Sequence, residues 1–164
     1  SVTVEWKPQR IVVSGDSVYL LANGQYDEEW RCPYYVQSID VESRTARTIA
    51  NATHAVAYDG TLYLCYSATD WATYETTNTF FTYDVATATL SNQSFLKGDT
   101  VEIASNSVYM MEVNPKNGEL YIGLAGNKFV SSGVIHRFEK DGTPIHRFDV
   151  QGPNPNQAAF VNYQ

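Results

Sequence analysis

A short tyrosine-centred motif recurs three times and constrains the fold more than any other feature of the sequence. Each copy follows a turn signal, and another strand-like run precedes that turn. The copies are Ser17–Leu20 (SVYL), Thr61–Leu64 (TLYL) and Glu119–Ile122 (ELYI). Two strand-like runs around a short turn are typical of a β-hairpin. The sequence therefore predicts three hairpins, centred on Tyr19, Tyr63 and Tyr121.

A second anchor follows each hairpin and extends the repeat to four strands. The segments at 38–41, 82–85 and 137–140 align with one another, and each is followed by a short turn and a further strand-like run. Four antiparallel strands in about 40–50 residues are typical of a β-propeller blade. We predict an all-β chain of about three four-stranded blades, at residues 7–49, 53–95 and 108–150, with extra strands at 2–6 and 158–163. Because three blades leave sheet edges open, we expect the chain to be a fragment of a larger propeller or to be completed by a second copy.

The last hairpin can be placed in register from its turn. A turn at residues 140–142, with Gly142 in the left-handed conformation, would pair Glu139 with Thr143. His136 would then lie opposite His146, on the apolar face that also carries Phe138.

Charge excludes several classes of partner. The chain has 11 Lys+Arg against 18 Asp+Glu and a formal net charge of -7, whereas nucleic acids and anionic membranes attract clustered basic residues. No apolar run approaches the roughly 20 residues of a membrane-spanning helix. The polar, strand-like start at Ser1 predicts no signal peptide within this sequence.

The connections between the second and third strands of each unit are long, at 23–33, 68–78 and 125–133. Because equivalent loops lie on one face of a propeller, we expect a shared aromatic surface there. Its predicted residues are Trp30, Tyr34, Trp71, Tyr74 and Phe129, with His54 and Asn106 near its inner edge. Either Trp30 and Trp71 cap the blade tops, or the exposed loop aromatic residues line a ligand-binding surface. The acidic residues of these loops, such as Asp70 and Glu75, are typical of a solvated rim; a carboxylate pair or a calcium site is the alternative.

Catalytic signatures are absent from the sequence. It contains no GxSxG, HExxH or glycine-rich phosphate loop, and His54 has no evident Ser or Cys partner. His136 and His146 would need a third ligand to hold a metal. We therefore predict a protein that is not an enzyme, with no catalytic residue, metal or cofactor. Cys32 and Cys65 could form a disulfide, but two unbonded thiols are favoured because nothing in their spacing enforces contact.

A resemblance covers about a third of the chain, from Glu102 to Phe160. The residues that carry it are Asn114, Pro115, Gly118, Leu120, Tyr121, Ile122, Gly133, Val134, Phe138, Gly142, Phe148, Gly152, Pro155 and Phe160. This pattern resembles the closing blade of the YncE-like surface propellers of Bacteroidetes, some of which are similar to the cobalamin-binding BtuG-type proteins. The resemblance implies a seven-bladed lipoprotein of the cell envelope, at the outer-membrane surface or in the periplasm. This chain holds only about three blades, which indicates the C-terminal portion of such a protein.

Two functions follow from the resemblance and the loops together. The first is a non-enzymatic ligand-binding propeller that takes a small molecule, with a corrinoid such as cobalamin as one candidate, or a glycan. The alternative is an interaction scaffold that docks an outer-membrane transporter or another envelope protein.

Overall fold

A computed structural model describes residues 1–28, 31–126 and 130–161. This part of the chain forms three four-stranded antiparallel sheets, which confirms the predicted fold class. The strands are β1 (Lys7–Ser14), β2 (Ser17–Asn23), β3 (Tyr34–Asp40), β4 (Thr45–Ala50), β5 (His54–Tyr58), β6 (Thr61–Thr69), β7 (Thr76–Asp84), β8 (Thr89–Ser91), β9 (Val108–Val113), β10 (Leu120–Leu124), β11 (Val134–Phe138) and β12 (Pro144–Asp149). Each sheet is a meander in chain order, β1 to β4, β5 to β8 and β9 to β12.

The chain divides into two compact units. The first contains residues 1–66 and 81–92, and the second contains residues 67–80 and the chain from 93 onward. The β1–β4 sheet belongs to the first unit and the β9–β12 sheet to the second. In the middle sheet, β5 and β8 belong to the first unit, while β6 and β7 are each divided between the two. The second unit also contains a short helix, α1 (Val101–Ser105). Five residues are too few to give a 3.6-residue apolar period, which is why the sequence pattern did not indicate this helix.

Polar side chains fix the turns that make the strands antiparallel neighbours. Asp59 and Gly60 both have positive φ, at 47° and 75°, as a two-residue type I′ hairpin turn requires. Asp40 Oδ1 accepts hydrogen bonds from the backbone N–H groups of Glu42 and Ser43, at 2.9 Å each. Asp84 Oδ1 accepts from the backbone N–H of Thr87 in the equivalent turn, at 2.7 Å. The aspartates that recur in the sequence therefore close the turns between third and fourth strands.

The repeated tyrosines and their apolar neighbours build the core of the first unit. Tyr19 is buried and makes an edge-to-face contact with Tyr83, with ring centroids 6.1 Å apart. β1 also contacts β5, so the first strands of two consecutive sheets are neighbours. The buried cluster consists of Val12, Tyr19, Leu21, Val36, Ala50, Ala52, Ala55, Leu62, Leu64, Phe81 and Tyr83. Burial of apolar area from two sheets in one cluster stabilises both.

The second unit packs α1 and a C-terminal tail onto the third sheet. Its fully buried side chains include Ile103 of α1, Met110, Leu120 and Phe138. The tail is held by backbone hydrogen bonds, including Gly133 N–H to Gly152 C=O at 2.8 Å. Phe160 then packs edge-to-face on Tyr121, with ring centroids 5.1 Å apart.

The ends of the chain differ from the prediction. Residues 2–6 form no strand, since β1 begins at Lys7, and residues 158–161 form none either. The remainder of the expected C-terminal strand, at 162–163, lies outside the described residues. A strand needs a hydrogen-bonding partner, and neither end pairs with one in the described chain; the Glu5 N–H donates instead to the Gln37 side chain at 2.9 Å. The fourth strand of the middle sheet is also shorter than predicted, because β8 ends at Ser91.

The predicted register of the β11–β12 hairpin is wrong by one residue over most of its length. The turn forms as expected, with the Glu139 N–H donating to the Thr143 C=O at 2.8 Å. A bulge then shifts the register between Arg137 and Phe138, so that His136 lies opposite Arg147 and not His146. Because side chains alternate between the faces of a strand, this slip moves His146 to the opposite face from His136.

Within the described ranges, no helix is both long enough and apolar enough to cross a membrane.

Gly142 provides a test of how the second unit holds together. Its φ is +85°, and a Cβ placed there would overlap the backbone carbonyl of Phe95. Two residues further on, Lys97 donates its N–H to the Gly142 C=O at 2.9 Å. We expect Gly142→Ala to lower the free energy of unfolding by about 3 kcal/mol or more, because backbone atoms would have to separate. Chemical denaturation followed by circular dichroism measures the change.

Gly15→Ala is the matched control. Gly15 also has a positive φ, +56°, but nothing lies within 4 Å of its would-be Cβ. We expect Gly15→Ala to lower the free energy of unfolding by only about 1 kcal/mol, because alanine is disfavoured at positive φ but would meet no neighbouring atom. Equal losses for the two variants would contradict the close packing of Gly142 against Phe95.

Candidate functional site

The long connections between second and third strands are confined to residues 24–33, 70–75 and 125–133. The middle one is shorter than the predicted 68–78, because Thr69 ends β6 and Thr76 begins β7. Two of its residues carry exposed rings. Trp71 is 66% exposed and Tyr74 is 51% exposed, and the two rings meet at 84° with centroids 6.5 Å apart. The pair is thus an open corner of two nearly perpendicular aromatic rings.

Asp70 organises this loop from within. Its Oδ1 accepts hydrogen bonds from the backbone N–H groups of Ala72 at 2.8 Å and Thr73 at 3.2 Å. Its backbone C=O accepts from the Tyr74 N–H at 2.7 Å, and its N–H donates to the Glu75 C=O at 2.8 Å. Tyr74 itself has a φ of 61°, a left-handed conformation that is costly for a bulky residue. The loop is therefore pre-organised, and it holds a strained backbone directly under an exposed ring.

Tyr34 lies in the first unit, at the start of β3. Its ring packs edge-to-face on Tyr66, with centroids 6.4 Å apart and an interplanar angle of 78°. Burial raises the pKa of the Tyr34 hydroxyl above its ordinary value. The Tyr34 side chain is thus half-buried against its own unit.

His54 begins β5 and has a partner that the sequence analysis missed. It lies directly opposite Cys65 on β6, and opposed residues of an antiparallel pair share a face. Thr53 Oγ1 donates to the Cys65 C=O at 3.0 Å, so its 2.9 Å bond to His54 Nδ1 is one in which the imidazole donates. Cys65 is fully buried, and burial raises the pKa of its thiol. A protonated, inaccessible thiol is a poor nucleophile, so the pair does not form a catalytic dyad.

The two cysteines are not joined. Cys65 is buried, whereas Cys32 is partly exposed and its thiol donates to the Gly24 C=O at 3.3 Å. This confirms the favoured alternative of two unbonded thiols.

Asn106 terminates α1. Its Nδ2 donates to the Glu102 C=O at 2.8 Å, and its own C=O accepts from Asn78 Nδ2 at 2.6 Å. Asn78 Nδ2 also donates to the Ile103 C=O at 2.6 Å, so one amide group satisfies two carbonyls at the helix end. Asn78 Oδ1 is buried with no hydrogen-bond partner among the described residues. The Nδ2 groups of Asn78 and Asn106 thus both donate within the protein.

The predicted site residues lie in both compact units. The structure brings Trp71 and Tyr74 together in the second unit, whereas Tyr34 and His54 contact neighbours in the first. Trp30 and Phe129 lie outside the described residues. One surface that joins all of these residues stays a prediction.

A charged cluster in the second unit is a feature that the sequence analysis missed. Glu102 of α1 accepts from His136 at 2.9 Å and from Arg147 Nε and Nη2 at 2.9 and 3.0 Å. The bulge in β12 makes this possible, because it turns Arg147 to the same face as His136. Hydrogen bonds from Arg147, and then from His136, hold the pKa of Glu102 below its ordinary value despite partial burial. No local sequence pattern links a residue of a five-residue helix to a strand residue 45 positions later, so this cluster could not be predicted.

A second polar cluster joins β6 and β7 to the start of β9. Thr69 Oγ1 lies 2.6 Å from Ser107 Oγ and 2.9 Å from Thr76 Oγ1, and the last two are 3.0 Å apart. Three hydroxyls have three protons, so a closed ring of three hydrogen bonds uses all of them. The cluster satisfies buried polar groups and is structural.

The comparison with solved structures decides the fold. The chain is similar to the β-propeller domain of the Trilobed protease from Pyrococcus furiosus, which has an open velcro topology; the TM-score is 0.52 and the sequence identity 12%, over 88% of this chain and 43% of that chain. This chain has a β-propeller fold. It spans less than half the length of that neighbour, and the low identity supports only the fold. No protein-family model matches the propeller segment, and no curated protein matches it either.

The charged cluster predicts how stability depends on pH. Burial lowers the pKa of His136 from its ordinary value of 6.5, and Glu102 offsets only part of this effect. The unfolded chain therefore binds a proton first, and the folded state loses stability as pH falls below about 6.5. Glu102 acts in the same direction at lower pH, because its stabilising contribution is present above about 4.5 and is lost as the folded carboxylate is protonated.

We expect His136→Gln to flatten the fall in unfolding free energy between pH 7 and pH 5, since glutamine keeps a donor for Glu102 but does not titrate. Urea denaturation at a series of pH values measures this slope. His146→Gln is the control, because it removes a histidine from the opposite face of the same hairpin. If both variants keep the original slope, His136 does not control this transition.

Proposed function

We propose that this protein is a non-enzymatic ligand-binding β-propeller segment whose ligand, a small molecule or a glycan, contacts the loop at residues 70–75. The observation that carries the proposal is the Trp71–Tyr74 corner. Two large rings are exposed on a loop that internal hydrogen bonds hold rigid. Exposed aromatic residues on rigid loops are a common basis of recognition, because little side-chain entropy is lost on binding.

Strain in the loop supports the same interpretation. Tyr74 is kept in a left-handed conformation that glycine would adopt without cost. Such a conformation persists only where the surroundings enforce it, and it is concentrated at functional sites. Here Asp70 enforces it through its bonds to the backbone of the loop.

We also propose a cellular location and a family for this protein. The motif residues between Glu102 and Phe160 support a YncE-like surface propeller at the outer membrane or in the periplasm, with a corrinoid as one candidate ligand. In the described chain several of these residues have a structural role: Phe160 packs on Tyr121, and Gly152 bonds to Gly133. A role in folding explains them without reference to any particular ligand. The structural neighbour is a domain of a protease, which is a fact about that protein alone.

The aromatic surface is tested by truncation. Once a ligand has been found by thermal-shift screening against glycans, corrinoids and small metabolites, Trp71→Ala should weaken its binding by roughly 1–3 kcal/mol. Isothermal titration calorimetry measures the loss. Trp6→Ala is the matched control, since Trp6 is 58% exposed and belongs to the other unit. Unchanged affinity in Trp71→Ala would exclude this loop as the binding surface.

A specific feature also favours the second candidate function, an interaction surface. Ile11 and Val13 of β1 are 67% and 58% exposed, on the edge strand of the first sheet, while Val12 between them is buried. Exposed apolar residues on a sheet edge favour association. Because the chain matches 43% of a propeller domain, we propose that a second copy covers this strand.

Light scattering coupled to size-exclusion chromatography tests this association. We expect a particle of twice the 18.4 kDa chain mass, and a monomer for the double variant Ile11→Lys and Val13→Lys. Circular dichroism checks that the variant is folded. A monomeric parent chain at high concentration would overturn the second-copy proposal and favour further blades or an envelope protein as the partner.

A further inference from the structure

The charge distribution around the Trp71–Tyr74 corner narrows the class of ligand. The sequence contains no lysine or arginine between Arg47 and Lys97, a stretch that includes all of β5 to β8. The acidic residues Asp59, Asp70, Glu75 and Asp84 fall within the same stretch. The aromatic corner is therefore built on the acidic part of an acidic chain, whose net charge is -7.

The loop carries negative charge and no positive charge. Its backbone N–H groups at Asp70, Ala72, Thr73, Tyr74 and Glu75 all donate to partners within the loop. Residues 68–77 contain two carboxylates, Asp70 and Glu75, and no lysine or arginine. The remaining side-chain donors are neutral groups, namely the indole N–H of Trp71 and the hydroxyls of Tyr74 and the threonines.

Aromatic faces and carboxylates together favour a cation. The face of an aromatic ring is electron-rich and attracts ammonium groups, and two rings at a large angle can contact such a group from two sides. Glu75, exposed and next to Tyr74 in the chain, adds charge attraction at short range. A neutral sugar would gain from the rings but not from the charge.

We propose that the Trp71–Tyr74 corner binds an organic ammonium ion. This inference rests on the proposed function, in that it assigns a ligand class to the same loop. The ammonium group lies against the rings of Trp71 and Tyr74, and Glu75 supplies the countercharge. Rigid positioning by Asp70 means that the corner exists before the ligand arrives, which lowers the entropic cost of binding.

The probe is choline, and its neutral control is 3,3-dimethyl-1-butanol, in which carbon replaces the charged nitrogen. Binding is followed by aromatic two-dimensional NMR of the folded chain, with sodium chloride matching the ionic strength of choline chloride. We expect choline to shift the Trp71 and Tyr74 ring signals saturably and to bind about fivefold more tightly than the neutral isostere, at the upper end of the range for exposed cation–π contacts.

Three variants test whether choline binds at the Trp71–Tyr74 corner. Trp71→Ala should abolish the saturable shifts of the Tyr74 ring. Glu75→Gln, which keeps the size of the side chain, should weaken choline binding severalfold and leave binding of the neutral isostere unchanged. Trp6→Ala should leave both unchanged. Because Trp71 and Glu75 are exposed, these variants are expected to fold, and the backbone amide spectrum verifies it.

The outcomes separate this inference from the proposed function. Equal affinities for choline and its isostere, or no effect of Glu75→Gln, would overturn the cationic ligand class. If a neutral glycan or corrinoid binds with Trp71 dependence while choline does not, the ligand class is wrong and the loop remains a binding surface. If no probe gives Trp71-dependent shifts, both proposals fail.

Discussion

Backbone hydrogen bonding within each four-stranded sheet is the constraint on which the rest of this structure depends. Within each sheet every strand pairs with its neighbours along the chain, so the two middle strands of each sheet are satisfied locally on both sides. Short turns join the first strand of a sheet to the second and the third strand to the fourth. Asp40, Asp84 and the Asp59–Gly60 pair supply them through side-chain bonds and positive φ. The connections between the second and third strands are longer, which leaves them available for recognition.

The sequence predicted the sheets because the information for them is local. In the first two units a tyrosine in the second strand is followed 21 residues later by an aspartate at the end of the third, and Tyr19 and both aspartates have a structural role in the folded chain. The register of β11 and β12 was predicted wrongly because of a single bulge. The turn at Gly142 forms as expected, but one bulge after it exchanges the faces of β12. Nothing in the residue pattern of 144–149 distinguishes the bulged from the regular pairing.

The candidate site was predictable only where one loop contains it. Trp71 and Tyr74 are three residues apart, and their exposure and mutual contact follow from a single Asp70-centred loop. Contacts between distant segments were not predictable. Asn106 was expected at a ligand surface, but it is bonded to Glu102 and Asn78 at the end of α1. His54 was expected to lack a cysteine neighbour, and the pairing of β5 with β6 supplies Cys65.

The geometry of the aromatic corner also limits the strength of binding. Two rings and one nearby carboxylate give a ligand few contacts, and contacts of this kind are each worth on the order of 1 kcal/mol. A corner of this size on its own therefore predicts millimolar affinity.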